Sequence, residues 1–420
     1  MQRFPPGFLW GTATAAHQVE GGNRWNDWWE YEERGRVPYR SGDACRHYDR
    51  FEQDFDLARS LGQNAHRFSI EWSRIEPEEG RWNPVAAAHY ARVVRALRDR
   101  GLEPIVTLHH FTTPAWFLRR GGWARQDSPA LFERYIEYLL GHLEPAAVTY
   151  WLTLNEPTVY AMQGYILGEW PPCRSGAWLA AGRVLINLAR AHVAAYRLLH
   201  RRVPGARVGF AHSAPVVQPC DPARRRDRFA AAVRDAILNR GFFRLIGASP
   251  GRPTHLDVIG LNYYTRTIVR GSGFGAGTLF GRACRLPHHG DDGPASMMGW
   301  EVYPIGLRAT LERFAGYGVP LLIAENGIAT DHDEMRRSFI KQHLEVLARA
   351  IEAGCPVIGY CYWSLLDNFE WALGTTARFG LASVDATTQE RRVKPSGRDF
   401  AEICRANRLG ARARAHPRPD

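Results

Sequence analysis

Short apolar runs that end in polar or aromatic residues recur along the chain, and segments of helical periodicity separate most of them. Runs rich in β-branched and aromatic residues are typical of buried strands, whereas apolar residues spaced by roughly three to four positions are typical of amphipathic helices. The pattern predicts eight strands, within residues 8–15, 65–70, 104–108, 148–157, 207–212, 256–261, 319–327 and 357–362. It predicts helices at residues 48–61, 84–100, 128–143, 180–200, 305–317 and 335–353.

Strands that alternate with helices indicate an α/β protein with a parallel sheet. Eight such units in 420 residues favour a single (β/α)8 TIM barrel, a fold that often exceeds the usual length of one domain. We assign residues 1–408 to this barrel domain and residues 409–420 to a basic, frayed tail. The glycine-rich segment 271–293 is predicted to be a long mobile loop.

Two of the predicted strands end in a glutamate beside an asparagine. Glu156 closes the run VTYWLTLNEP, and Glu325 closes VPLLIAENG. Proline biases the residue before it toward an extended backbone, so Pro157 is predicted to hold Glu156 extended at the strand tip. Considered alone, each glutamate is interpreted as a solvated carboxylate or as a partner in a loop ion pair. The two together favour a pair of catalytic carboxyls.

The carboxyl ends of barrel strands meet on one face, so residues far apart in sequence are predicted to converge there. Arg67 lies inside a predicted strand, and a buried arginine needs a partner, so a carboxylate is predicted beside it. Locally, His110 can equally be a structural histidine and Gln18 a loop-capping amide. The predicted convergent set is Gln18, His110, Asn155, Glu156, Asn262, Tyr264, Glu325 and Trp363.

The net charge of +11 raises the alternative of an Arg-rich nucleic-acid binder. Lysine occurs only at Lys341 and Lys394, and the arginines are scattered among acidic residues along the whole chain. No nucleic-acid-binding motif accompanies them. We therefore interpret the charge as ordinary solvated surface and expect no nucleic-acid partner.

The cysteines show neither the spacing of a disulfide framework nor that of a metal site, so they are predicted to be reduced thiols. The N-terminal residues do not resemble a signal peptide, and no apolar run reaches the ~18 residues of a membrane span. We expect a soluble, cytoplasmic protein with no membrane partner and no metal. The cysteines are Cys45, Cys173, Cys220, Cys284, Cys355, Cys361 and Cys404.

A site with two carboxyls, several amides and exposed tryptophans suits a neutral, polyhydroxylated ligand. Tryptophan faces stack on sugar rings while amides and carboxyls bind the hydroxyls; a phosphate site would instead need a glycine-rich amide cradle with Lys or Arg. Hydrolysis of a glycosidic bond needs two carboxyls, one protonated and one ionised. No cofactor is required for this chemistry.

Ordered motifs along nearly the whole chain make it resemble the family-1 glycoside hydrolases, the β-glucosidase and β-galactosidase family. They are FPPGFLWGTATAAHQVEGG from Phe4, HRFSIEWSRI from His66, LTLNEP from Leu152, GLNYY from Gly260, GWEVYP from Gly299, AENG from Ala324 and YWSLLDNFEW from Tyr362.

The resemblance implies a retaining β-glycosidase that acts on terminal non-reducing β-D-glycosides through a covalent glycosyl-enzyme. Glu156 matches the family's acid/base and Glu325 its nucleophile. Arg67 and Tyr264 match the residues that contact the nucleophile, and Asn155 matches the partner of the sugar 2-hydroxyl. The implied substrate-binding residues are Gln18, His110, Phe111, Asn155, Asn262, Trp363, Glu370, Trp371 and Phe379.

Three physical expectations accompany these roles. The two carboxyls should lie about 5 Å apart, as retention requires. The charge of Glu325 should raise the pKa of Glu156. Glu370 should be a carboxylate that accepts hydrogen bonds from two sugar hydroxyls and repels a 6-phosphate, which favours plain glycosides over phosphorylated ones.

Phe111 departs from the family pattern, which usually has Trp-Asp-Leu-Pro where this chain has Phe-Thr-Thr-Pro. It keeps an aromatic face but lacks the indole donor, so gluco, galacto and fuco preferences stay open. The expected partners are β-linked disaccharides, oligosaccharides and aryl or alkyl glycosides. A non-catalytic glycan-binding protein and a transglycosylase are the remaining alternatives, and the sequence does not indicate an oligomeric state.

Overall fold

Eight parallel strands close into a barrel in the computed structural model, which describes residues 2–271, 281–284 and 295–410. In chain order the strands are β1 (Leu9–Ala13), β2 (Ala65–Ser69), β3 (Glu103–Thr107), β4 (Tyr150–Asn155), β5 (Arg207–Ser213), β6 (Val216–Pro219), β7 (Ile259–Asn262), β8 (Arg266–Arg270), β9 (Arg282–Ala283), β10 (Leu321–Asn326), β11 (Val357–Trp363), β12 (Ala382–Val384) and β13 (Arg391–Val393). The barrel order is β1, β11, β10, β7, β5, β4, β3, β2. The predicted (β/α)8 barrel is therefore confirmed.

Helices connect the barrel strands on the outside. The α-helices of the described ranges are Ala16–Val19, Asp27–Glu33, His47–Ser60, Trp72–Ile75, Pro84–Asp99, Ala115–Arg119, Ser128–Leu140, Pro157–Ala161, Trp178–Arg202, Arg225–Asp235, Phe242–Leu245, Pro304–Ala315, Asp333–Glu352 and Pro395–Ala406. Two π-helical segments, Met162–Leu167 and Ala236–Gly241, directly continue the helices before them. Within these ranges, no helix is both long and apolar enough to cross a membrane.

The barrel strands are buried on both faces, which explains why they read as continuous apolar runs. Ile105 and Val106, neighbours on β3, are both fully buried but belong to two separate apolar clusters. The cluster around Ile105 fills the barrel interior with mostly small side chains, including Ala13, Ala65 and Ala211. The cluster around Val106 packs the outer face of the barrel against the helices.

A three-stranded sheet of β6, β8 and β9 lies outside the barrel, and sequence periodicity did not predict it. Its strands are short and half exposed, and β6 and β8 directly follow barrel strands β5 and β7 in the chain. Helix Arg225–Asp235 packs against β6 and β8. This sheet and helix extend the carboxyl-end side of the barrel beyond β5 and β7.

Cys220 and Cys284 form a disulfide, so the prediction that all cysteines are reduced is wrong for this pair. The small sheet explains the pairing, because Cys220 follows β6, Cys284 follows β9, and both strands pair with β8. The Cys220 amide donates to Val269 and the Cys284 amide donates to Ile268. The spacing of cysteines along the chain could not indicate this pair, because the sheet brings the two residues together. The other five cysteines are free.

The two ends of the described part of the chain lie beside each other. Arg3 and Arg408 form an isolated bridge, and the amide of buried Leu409 donates to the carbonyl of Gln2. Leu409, the first residue of the predicted tail, is therefore packed on the domain. Residues 411–420 of that tail lie outside the described residues, as does most of the predicted 271–293 loop, so both interpretations stay predictions.

Candidate active site

Glu156 occupies a left-handed backbone conformation, with φ 43° and ψ 59°. The prediction of an extended residue is therefore wrong, and the reason is local. Strand β4 ends at Asn155 and a helix begins at Pro157, so the chain must turn within one residue. The Glu156 amide donates to Ala211 on β5 at 2.8 Å, which fixes this turn. A non-glycine residue in this region is costly and is typical of functional sites.

Glu325 lies near the carboxyl end of β10, where two donors hold its carboxyl. Arg67 Nη1 donates to Oε1 at 2.5 Å, and the Tyr264 hydroxyl donates to Oε2 at 2.7 Å. Arg67 is fully buried on β2. The carboxylate predicted beside Arg67 is therefore Glu325. The bond from the Arg67 guanidinium is charge-assisted, and bonds of this kind are strong in a buried site.

The strands that carry the two glutamates both change register near their ends. The β4–β5 pairing shifts between Leu152 and Asn155, and the β10–β7 pairing shifts between Ile323 and Glu325. Such irregularities bend a strand and redirect its side chains, and they are frequent beside active sites. The side chains of Glu156 and Glu325 therefore do not follow the regular inward and outward alternation of the barrel strands.

A continuous hydrogen-bonded chain joins Glu325 to Glu156. Arg67 Nη2 donates to Asn155 Oδ1 at 2.7 Å, in addition to its bond with Glu325. Asn262 Nδ2 donates both to Asn155 Oδ1 at 3.1 Å and to Glu156 Oε1 at 2.8 Å. The two carboxyls are therefore positioned relative to each other by side chains from three different strands, β2, β4 and β7.

Burial is the largest cause that raises the pKa of Glu156, to about 8, and the charge of Glu325 is the second. The hydrogen bond from Asn262 and the charge of Arg67 oppose the increase. The predicted effect of Glu325 on the Glu156 pKa is present, but it is smaller than the effect of burial. At neutral pH Glu156 is thus protonated, and the Glu325 carboxyl forms an ion pair with Arg67.

The Glu370 carboxyl was expected to be ionised, and its surroundings oppose this. Burial raises its pKa to about 8, although a hydrogen bond from Gln18 Nε2 to Oε2 at 3.0 Å opposes this. At neutral pH and without a ligand, Glu370 is therefore protonated, and the expectation of a charged group that repels phosphate is wrong there. The residue types flanking a carboxyl do not indicate how deeply it is buried.

Glu370→Gln should become more stable relative to the wild type as pH rises from about 5 to about 8. In the wild type the unfolded state loses the Glu370 proton near the ordinary value of 4.5, whereas the folded state keeps it until about 8, so folding stability falls across that window. Glutamine does not titrate, so the variant has no such loss. The difference in free energy of unfolding between Glu370→Gln and the wild type should therefore grow by up to about 1.4 kcal/mol per pH unit. Thermal melts at several pH values measure it.

Glu312→Gln is the matched control for this measurement, because Glu312 is an exposed glutamate on the helix before β10. Its melting temperature relative to the wild type should not change in the same way with pH. A pH-independent difference between Glu370→Gln and the wild type would contradict a protonated Glu370.

His110 and the aromatic residues form one wall of the site. The His110 ring lies nearly parallel to Trp363 and Trp371, with centroids 5.9 and 6.1 Å away. Phe111 is buried, has a left-handed φ of 70°, and contacts Trp170 and Trp371 at centroid distances of 4.8 and 5.3 Å. Phe111 thus packs into an aromatic cluster with Trp170 and Trp371.

A cavity of about 310 Å³ collects these side chains at the carboxyl ends of the strands. The predicted residues that line it are Gln18, His110, Phe111, Asn155, Glu156, Asn262, Tyr264, Glu325, Trp363, Glu370, Trp371 and Phe379. Arg67 lies behind the lining, in contact with Glu325. Every predicted site residue is therefore part of the cavity or bonded to it.

Several buried polar atoms of this cavity have no hydrogen-bond partner among the described residues. Among them are Gln18 Oε1, Asn262 Oδ1 and His110 Nδ1. A buried polar atom without a partner is costly, so these atoms are suited to bind ligand hydroxyls. In the parts of the chain that the structure describes, no His, Cys, Asp or Glu residues are grouped so that they could hold a metal ion.

Other cavity-lining residues were not predicted as site residues. Trp300 lies in the motif GWEVYP, which could have indicated it. For the rest, no local pattern marks a role, because they come from the small outer sheet and from segments after β4, β5, β7 and β9. These residues are Thr158, Val159, Met162, Gln163, Trp170, Ser213, Pro215, Arg234, Leu238, Thr265, Thr267, Met298 and Trp300.

Cleavage of a glycosidic bond needs one protonated and one ionised carboxyl beside groups that bind hydroxyls, and this barrel supplies both. The fold and the site together define a glycoside hydrolase. Residues 1–251 and 253–409 match the sequence profile described as Glycosyl hydrolase family 1, and the chain belongs to that family. The family resemblance inferred from the motifs is confirmed.

Named relatives align over nearly the whole chain. Beta-glucosidase A of Thermotoga maritima is 33% identical over 97% of this chain and 99% of its own length. A bifunctional β-D-glucosidase/β-D-fucosidase of Bifidobacterium breve is 35% identical over 94% of this chain and 96% of its own. The solved structure of a β-glycosidase from Pyrococcus horikoshii is 42% identical and has a TM-score of 0.91, covering 98% of this chain and 97% of that one.

Proposed function

We propose that this enzyme hydrolyses terminal β-D-glucosides by double displacement, with Glu325 as nucleophile and Glu156 as acid/base. The observation that carries the proposal is the hydrogen-bonded chain from Glu325 through Arg67, Asn155 and Asn262 to Glu156. It pairs the Glu325 carboxyl with the Arg67 guanidinium and positions the Glu156 carboxyl, which burial holds protonated. The names of the relatives support activity on β-glucosides, with β-galactosides and β-fucosides as further substrates.

The first half of the reaction forms the glycosyl-enzyme. A Glu325 oxygen attacks the anomeric carbon while Glu156 gives its proton to the departing oxygen, so the bond to the aglycone breaks and the alcohol leaves neutral. Arg67 and Tyr264 hold Glu325 in place for the attack. Asn155 is placed to bind the sugar 2-hydroxyl through its amide.

The second half uses the charge that the first half removed. Glu325, now an ester, no longer raises the pKa of Glu156, which can then remain ionised and take a proton from water. The water oxygen attacks the anomeric carbon from the side that the aglycone left. The sugar is released with its original configuration, and both carboxyls return to their starting states.

The sugar ring is proposed to bind between Gln18, His110, Trp363 and Glu370. The unpaired atoms of Gln18 and His110 are available to hydroxyls, and the Trp363 ring supplies an apolar face. Among the described residues that line the cavity, the one cationic side chain is that of Arg234, on the helix that packs on β6 and β8, whereas Glu370 follows β11. A plain glycoside therefore fits better than its 6-phosphate, since a phosphate dianion would have no cation to bind there.

The stereochemistry of the first product tests the mechanism. Proton NMR during hydrolysis of p-nitrophenyl β-glucoside should detect the β-anomer of glucose before mutarotation produces the α-anomer. Parallel assays with the β-galactoside, β-fucoside and β-glucoside 6-phosphate should rank the 6-phosphate last. Initial release of the α-anomer would contradict double displacement.

The cytosolic location is a separate prediction, and the structure weakens its basis. It depended on seven reduced cysteines, whereas Cys220 and Cys284 are paired. Structural disulfides are rare in the cytosol of mesophilic organisms. The location of the enzyme therefore stays a prediction that fractionation of the source cells would test.

A further inference from the structure

Arg234 is a guanidinium in the active-site cavity that forms no ion pair with an acid of the described residues. It lies on helix Arg225–Asp235, lines the same cavity as Glu156, and makes no hydrogen bond or ion pair within the described part of the chain. Burial lowers the pKa of Arg234 from its ordinary value, and no neighbouring carboxylate counters this effect. The adjacent acid, Asp235, is already bonded to Arg240 and Arg313.

The buried arginines of the described ranges have acidic partners, and so does half-buried Arg391. Arg67 pairs with Glu325, Arg74 with Glu20, Arg336 with Asp333 and Arg391 with Asp54. A partly buried charge without a partner costs stability, and folding alone gives no reason to keep it. An unpaired guanidinium that opens into a substrate cavity is suited to bind an anion.

Arg234 lies on the side of the cavity that is expected to bind the leaving group rather than the sugar. Its helix packs on β6 and β8, which follow barrel strands β5 and β7. Gln18, Trp363 and Glu370 instead follow or end β1 and β11, which lie across the barrel from β5. Glu156, the group proposed to protonate the leaving oxygen, ends β4, the direct neighbour of β5. Arg234 therefore lies on the side of the cavity toward which the aglycone departs.

Gln163 supplies a second polar group without a partner on this side. It lies in the π-helical segment Met162–Leu167, shortly after Glu156, and lines the cavity. Its side-chain oxygen is buried and has no hydrogen-bond partner among the described residues. A purely apolar aglycone would leave both Gln163 and Arg234 unpaired in a desolvated site, which is unfavourable.

We propose that Arg234 binds a carboxylate on the aglycone, so that the preferred substrates are β-glycosides of hydroxy acids. This specificity rests on the proposed β-glycosidase activity and names the leaving group that the activity accepts. One guanidinium matches the geometry and charge of a single carboxylate, whereas a phosphate dianion would favour more than one cation. Arg234 is a specificity-determining residue in this proposal and takes no part in bond cleavage.

The test compares two leaving groups of nearly the same shape, the β-glucosides of 3-hydroxybenzoate and 3-hydroxybenzamide. The wild type should show a higher kcat/KM for the benzoate, and Arg234→Met should reduce the benzoate-to-benzamide ratio by at least about tenfold, as expected for loss of a charge-assisted hydrogen bond. The change should appear mainly as a higher KM for the benzoate, because the interaction forms on binding. Using the ratio cancels differences in leaving-group reactivity.

Arg225→Met is the matched control, since Arg225 is exposed on the same helix and does not line the cavity. It should leave the ratio unchanged. Arg234→Met should fold, because methionine removes a charge that has no partner in the described protein. Salt gives a test that needs no variant. About 1 M salt should lower the wild-type benzoate-to-benzamide ratio, because it screens the proposed ion pair between Arg234 and the substrate carboxylate.

The outcomes separate this proposal from the proposed function. A reduced benzoate-to-benzamide ratio in Arg234→Met, together with a ratio and a p-nitrophenyl β-glucoside turnover that are unchanged within about twofold in Arg225→Met, supports the carboxylate site. An equal ratio in wild type and Arg234→Met, or a wild-type ratio insensitive to salt, overturns it. Absence of wild-type activity on p-nitrophenyl β-glucoside would instead overturn the β-glycosidase function itself.

Discussion

Replacement of Glu325 by alanine should reduce β-glucoside hydrolysis by at least about ten-thousand-fold, because Glu325 is the group proposed to form the glycosyl-enzyme. The substitution also leaves Arg67 buried without its carboxylate, which should lower thermal stability. Glu325→Gln keeps an oxygen that can accept from Arg67 and removes the nucleophile. It should be equally inactive but closer to the wild type in stability.

Azide distinguishes loss of the nucleophile from loss of the fold. The space left in Glu325→Ala should admit azide, which attacks the anomeric carbon once and yields the α-glucosyl azide. Glu312→Ala, at an exposed glutamate paired with Arg308, should keep full activity. Residual turnover above about one per cent of the wild type in Glu325→Ala would assign the nucleophile to another residue.

Replacement of Glu156 by alanine should have an effect that depends on the leaving group. A dinitrophenyl leaving group needs little protonation, so formation of the glycosyl-enzyme should survive. Substrates with poor leaving groups should lose roughly a hundred- to ten-thousand-fold. Azide should accelerate the second step and yield the β-glucosyl azide, because the first displacement by Glu325 still occurs.

The pH dependence supplies a second readout of the same residue. Glu156 must be protonated to act as acid, and its pKa is raised to about 8, so wild-type kcat/KM should fall as pH rises through that value. Glu156→Ala should lose this alkaline limb. Glu370 also has a pKa of about 8, and Glu370→Gln is therefore the control that should keep the limb. If Glu370→Gln removed the limb and Glu156→Ala did not, the acid would have to be reassigned.

The sequence was sufficient for the barrel and for most of the site because both depend on strand ends. Glu156, Glu325, Asn262 and Trp363 each close an apolar run, and a parallel barrel brings such ends together wherever they occur in the chain. Arg67 could be assigned a carboxylate partner because a buried arginine requires one. These inferences need only local pattern and one topological rule.

Features that depend on surroundings in three dimensions could not be predicted in this way. The protonation of Glu370 follows from burial by segments distant in sequence. The Cys220–Cys284 pair follows from a short half-exposed sheet with no periodic signal. Arg234 resembled the surface arginines around it, and only the packing of its helix on β6 and β8 places it in the cavity.

The left-handed backbone of Glu156 restricts how this enzyme can be redesigned. Asparagine and aspartate tolerate that conformation better than most residues, and glycine adopts it freely, whereas β-branched residues are strongly disfavoured there. A saturation library at position 156 would therefore mix chemical effects with backbone strain. Variants intended to accept pre-activated donors should be limited to Gly, Asn and Asp, since these change the chemistry of the site while retaining the turn that joins β4 to its helix.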